Sequence, residues 1–184
     1  MLTLKKVETM KRIKEEFNDN NHHPNANTGF VVGLFDENDI FKWRVVLVGP
    51  QDSSYKGSVF VLGVEFPENY PENAPEIYFI TPIYHLNINP FNNGNGDVPL
   101  GHVSLSFLNN WKPEYTIREV FIYIFGLLYK PNPDNAYGLE RANEFIFNKE
   151  LYEEKVKYFT KKYSNPKYAD IDKKYNEWDF SYNA

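Results

Sequence analysis

The sequence predicts an α+β domain in which one helix leads, four antiparallel strands follow as a meander, and three helices close the chain against one face of the sheet. Three observations point there. Apolar residues step by three and four at the N-terminus, β-rich runs separated by short polar turns come next, and a capped apolar helix then stops at a proline.

Leu4, Val7, Met10, Ile13 and Phe17 form the first stripe, with Lys, Arg and Glu on the other faces, so a helix is expected that ends before Asn18-Asp19-Asn20-Asn21. Three strands are expected over Gly29 to Phe35, Phe41 to Val48 and Ser58 to Phe66, separated by Asp36-Glu37-Asn38-Asp39 and by the polar stretch after Gly49-Pro50. A fourth, Glu76 to Ile80, follows Pro67, Pro71 and Pro75, whose fixed φ and missing N–H groups prevent regular structure between them. From Ile83 to Val103 the prolines, glycines and asparagines predict a long loop, the kind of segment that carries function in compact domains. Thr116 with Glu119 makes a capping box, and Ile117, Val120, Phe121, Ile124, Phe125 and Leu128 define a helix that Pro131 stops. Leu139 to Phe147 and Leu151 to Tyr163 are the last two helices of the core, the second with Tyr152, Val156, Phe159 and Tyr163 on one stripe.

Composition narrows the function. The 184 residues suit one domain, expected at 1–164, with an extension at 165–184. There is no cysteine, which removes disulfides, thiolate metal sites and a thiol nucleophile together. A formal charge of -5 argues against a general nucleic-acid binder or a basic membrane-surface binder, and no run approaches a membrane span. A soluble protein of the cytoplasm or nucleus is the default expectation, with an organellar complex left open. No cofactor is implied.

Ordered landmarks then accumulate. Phe41-Lys42-Trp43, Gly49-Pro50, Tyr55-Lys56-Gly57-Ser58-Val59-Phe60, Phe66-Pro67, Tyr70-Pro71 and Pro75 are followed by Tyr84-His85-Leu86-Asn87, Trp111-Lys112-Pro113, Leu127-Leu128 and Pro131-Asn132-Pro133-Asp134. In this order they resemble the ubiquitin-conjugating enzymes over about Leu4 to Tyr163. The resemblance implies that family's fold and its acyl-transfer chemistry, in which a cysteine accepts the ubiquitin C-terminus as a thioester and passes it to a lysine.

Gly101-His102-Val103-Ser104-Leu105 is similar to the family's Gly-x-Ile/Val-Cys-Leu, which puts Ser104 in the nucleophile's place. An alcohol that ionises like water, with a pKa near 15.7, lies about 7 units above a thiol, on the order of 10 kcal/mol. The acidic positions that the resemblance implies, for orienting and deprotonating the lysine, hold Ser106 and Asn135. His85 and Asn87 remain from the family's His-Pro-Asn, with Leu86 between them, and Asn87 is then expected to serve structure alone. These departures resemble the cysteine-less, catalytically inactive variants of the family, although those often lack the last two helices, which this chain keeps.

The expected protein is therefore a pseudoenzyme acting as a protein-interaction or scaffold subunit. Its partners would be ubiquitin, an active conjugating enzyme or subunits of a large assembly. The competing reading is an active enzyme that carries ubiquitin as an oxyester on Ser104, with His102 or His85 as base, or a form engineered from Cys to Ser. The plainer account is a loop serine and a loop histidine facing water. A metal site from His22, His23, His85 and His102 lacks ligand spacing and is set aside. The Asn-Gly run at Asn92 to Gly96 lacks the ending of a phosphate loop and reads as a flexible segment. In the extension, Ile171, Tyr175, Trp178 and Tyr182 fall at helical steps, and such a stripe must pack on its own domain or on a partner.

Overall fold

The computed structural model describes residues 4–22, 29–91, 98–164 and 180–182. Helix α1 (Leu4–His22) leads into strands β1 (Phe30–Leu34), β2 (Lys42–Val48), β3 (Val59–Glu65) and β4 (Glu76–Phe79). A short helix α2 (Ser106–Asn109), then α3 (Ile117–Tyr129), a 3₁₀ turn (Pro133–Asn135), α4 (Leu139–Phe147) and α5 (Lys149–Tyr163) complete it. The expected order holds, with α2 and the 3₁₀ turn added. Both are too short to leave a periodic signal in sequence.

The strands form one antiparallel sheet in the order β1-β2-β3-β4. Register aligns the buried side chains, with half-buried Leu34, in rows: Phe30, Leu47 and Phe60; Val32, Val45, Leu62 and Phe79; Leu34, Trp43, Val64 and Ile77. Because side chains alternate along a strand, these rows share one face, and the helices cover it. Phe121 of α3 sits 4.9 Å from Phe30, and Phe17 of α1 lies edge-on to Trp43 at 5.2 Å. Burying each such ring stabilises by roughly 1.5–3 kcal/mol. Helix α3 buries Ile117, Val120, Phe121, Ile124 and Leu128, the stripe read from sequence, and its Thr116–Glu119 capping box forms.

Helix α1 departs from expectation twice. It runs through His22, one turn past the predicted stop, with Asn20 Nδ2 donating to the Glu16 carbonyl at 2.7 Å. Its buried face is Thr9, Ile13, Glu16 and Asn20, while Leu4 and Val7 are exposed. The reason is a polar junction. Glu16 accepts from Tyr70 Oη at 2.6 Å, from Arg12 Nε at 2.5 Å and from the Ile117 N–H at 2.7 Å, which ties α1 to the proline-rich loop and to the start of α3. A carboxylate at a helix N-terminus meets both free N–H groups and the positive end of the helix dipole.

The last described residues fold back on the core. Phe180 packs edge-on to Phe159 at 4.9 Å and to Tyr84 at 5.6 Å, and Tyr182 lies edge-on to Tyr158 of α5 at 5.3 Å. Ile171, Tyr175 and Trp178 lie outside the described residues, as do Asn92 to Gly96.

Candidate functional site

The segment around Ser104 is held by backbone bonds on both sides. Phe79 N–H donates to the Gly101 carbonyl and Val103 N–H to Ile77, which docks the segment on β4. Gly101 N–H donates to Asn89, Asn89 N–H to His102, and Ser104 N–H to Asn87 at 2.8 Å, which ties it to the loop after Ile83. Gly101 has φ +81°, and a Cβ there would lie 2.1 Å from the Phe79 carbonyl oxygen, so only glycine lets the two backbones meet. Ser104 and Asn87, 17 residues apart in the chain, are thereby placed side by side.

Contrary to expectation, the loop histidine His85 does not face water. It is fully buried, with Nε2 3.0 Å from the Leu127 carbonyl and Nδ1 3.0 Å from the Asn87 N–H. A carbonyl accepts and a backbone N–H donates, so the bonds select the neutral ring with its hydrogen on Nε2. Burial pushes its pKa down to about 4; the bond to Leu127 opposes that shift, and the charge of Arg141 adds to it. Both ring nitrogens are committed, and neither is offered to Ser104.

Asn87 is also fully buried and fully engaged. Its Nδ2 donates to the carbonyls of Asn132 at 2.6 Å and Asn135 at 2.9 Å, and its Oδ1 accepts from Asn132 N–H at 2.9 Å. The side chain pins the turn after α3 against the loop. Asn135 therefore reaches the site through its carbonyl, while Ser106 begins α2 and is exposed.

His102 and Ser104 are half-buried and alternate with buried Val103 and Leu105, so they share one side of an extended segment. No hydrogen bond joins them. His102 Nδ1 lies 2.8 Å from Tyr137 Oη, and burial holds its pKa below the ordinary histidine range against the charge of Glu76. Among the described residues the Ser104 hydroxyl has no hydrogen-bond partner. Of the other two histidines, His22 ends α1 and His23 lies outside the described residues.

Tyr137 and Asn132 complete this network; Tyr137 was not singled out in sequence, and Asn132 was read only as part of the Pro131-Asn132-Pro133-Asp134 landmark. Tyr137 N–H donates to the Leu86 carbonyl at 2.7 Å while its hydroxyl meets His102. Both residues lie in irregular chain, where no periodicity marks them.

No helix of the described residues is long and apolar enough to cross a membrane. A family model described as ubiquitin-conjugating enzyme matches residues 12–160, well over half of the 184. That span contains the whole sheet, α2, α3, α4, nearly all of α5 and the Ser104 segment, and no cysteine occurs anywhere in the sequence. Taken with a helix, a four-stranded antiparallel meander and helices in the expected order, the match establishes that the chain belongs to the ubiquitin-conjugating enzyme family.

Proposed function

We propose that this chain is a non-catalytic member of the family, a pseudoenzyme that works as a protein-interaction or scaffold subunit. The reading rests on Ser104. Its hydroxyl occupies the position that the motif assigns to the nucleophile, and among the described residues no base is bonded to it. An alcohol needs on the order of 10 kcal/mol more than a thiol to ionise, and a triad requires an oriented base to offset that. His85 is locked neutral by bonds at both nitrogens, and Asn87 is spent on Asn132 and Asn135. The positions implied for acidic groups hold Ser106 and Asn135, which cannot take a proton from an attacking lysine at neutral pH.

A core over residues 1–164 and an aromatic extension over 165–184 fit this role. Ile171, Tyr175, Trp178 and Tyr182 are the extension residues we assign to partner contact, Tyr182 resting edge-on to Tyr158 of α5. The partner classes are ubiquitin, an active conjugating enzyme, or subunits of a larger complex. The deciding experiment incubates the protein with activating enzyme, ATP and ubiquitin. No adduct is expected at Ser104. An adduct that resists thiols, is cleaved by hydroxide, disappears in Ser104→Ala and passes ubiquitin to an amine would reverse the assignment.

A further inference from the structure

Between the start of α4, the loop at Phe91 and α5 lies a cavity of roughly 300 Å³. Its floor includes Arg141, which is only 7% exposed. The Arg141 guanidinium carbon sits 4.2 Å from the Tyr84 ring centroid and 4.5 Å from that of Phe180, so aromatic rings cover the planar group. Among the described residues it makes one hydrogen bond, from Nη1 to the His85 carbonyl at 3.3 Å, and no carboxylate pairs with it. A guanidinium carries five N–H donors and stays charged in proteins, so most of this donor edge has no protein partner among the described residues where it lines the cavity.

A second feature converges on the same space. Helix α4 starts from Gly138, whose N-cap position supplies no side-chain hydrogen bond, and Gly138 and Glu140 of its first turn line the cavity. Free first-turn N–H groups and the positive end of a helix favour an anion. Lys155 adds positive charge to the wall, although it is already paired with Glu144. Glu140 is exposed to solvent and forms no ion pair with Arg141. The remaining walls include Phe91 and Tyr137.

We propose that this cavity is a binding site for a small oxyanion, a carboxylate or a phosphate, held by the free edge of Arg141 and the first turn of α4, with the aromatic walls around its carrier. The site is separate from Ser104 and does not depend on that residue being silent.

The test is a set of NMR titrations of the full chain, following the Arg141 Nε–H and the Leu139 and Glu140 amides. Phenylacetate, its uncharged isostere phenylacetamide, and inorganic phosphate are the probes. Saturable shifts with phenylacetate or phosphate at a Kd below about 10 mM, absent with phenylacetamide, support the site. A response to phenylacetate alone assigns an organic carboxylate, and a response to phosphate alone assigns the free ion or a phosphorylated ligand. Arg141→Gln is expected to weaken binding at least about tenfold, the effect of losing a charged hydrogen bond. Equal shifts with the acid and the amide, no shifts with any probe, or undiminished binding in a folded Arg141→Gln protein would each overturn the proposal. If that variant does not fold, the acid-against-amide comparison on the unaltered chain still decides.

Discussion

The backbone N–H of Asn87 donates to Nδ1 of His85 at 3.0 Å, so a family-motif histidine is turned inward and fixed in one neutral tautomer by its own motif asparagine. This bond removes the lone pair that a general base would use. It also makes the histidine a determinant of acid stability.

His85 has a folded-state pKa of about 4, below the value of about 6.5 expected unfolded. As pH falls, the unfolded chain binds the proton first. Stability is therefore full above about pH 6.5 and falls between there and about pH 4, by roughly 3 kcal/mol from this group. Urea denaturation from pH 7.5 to 4 is expected to show that decline, and His85→Gln is expected to flatten it. Equal slopes for the two proteins would mean that carboxylates alone cause the loss.

Asn87→Ala removes three hydrogen bonds and leaves the half-buried Asn132 and Asn135 groups without them. Leaving such groups unmet costs about 1–3 kcal/mol each before relaxation, so a total near 3 kcal/mol is expected. Hydrogen exchange at the Asn132 amide is expected to accelerate by a similar factor, which locates the effect at the turn after α3.

Ser104→Cys restores a thiol while leaving Ser106, Asn135 and the committed His85 unchanged. The variant is expected to discharge little or no ubiquitin to free lysine. Single-turnover discharge followed on non-reducing gels measures this. Discharge at the rate of an active conjugating enzyme would show that the alcohol was the sole defect.

Glu16→Ala deletes a buried carboxylate that receives Arg12, Tyr70 and the first N–H of α3. Stripping one partner from a buried charged junction typically costs 3–5 kcal/mol, and a loss of about 3 kcal/mol is expected here. Thermal unfolding reads the loss. Glu16→Gln keeps an acceptor oxygen and is expected to recover part of it.

Much of the fold was legible because strands and helices bury one face at fixed periods. Trp43, Val45 and Leu47 alternate into the core, and the α3 stripe from Ile117 to Leu128 lands where helical spacing puts it. The same rule failed at α1. Leu4 and Val7 match the period but lie in solvent, and the buried positions include Glu16, whose partners sit 54 and 101 residues away. The site was legible as a motif around Ser104 and illegible as chemistry. His85 read as a loop side chain facing water because nothing near it in sequence announces the Leu127 carbonyl, 42 residues on.

By itself the sequence determined that no thiol exists to accept an acyl group, a matter of composition that no folding can change, and that the chain alternates and steps as this α+β fold requires. Tertiary structure alone decided which polar groups meet. Hydrogen-bond partners and burial depend on segments far apart in the chain, and so the neutrality of His85, the commitment of Asn87 to the Asn132 turn and the aromatic stacking of Arg141 emerge only when the loops close on one another.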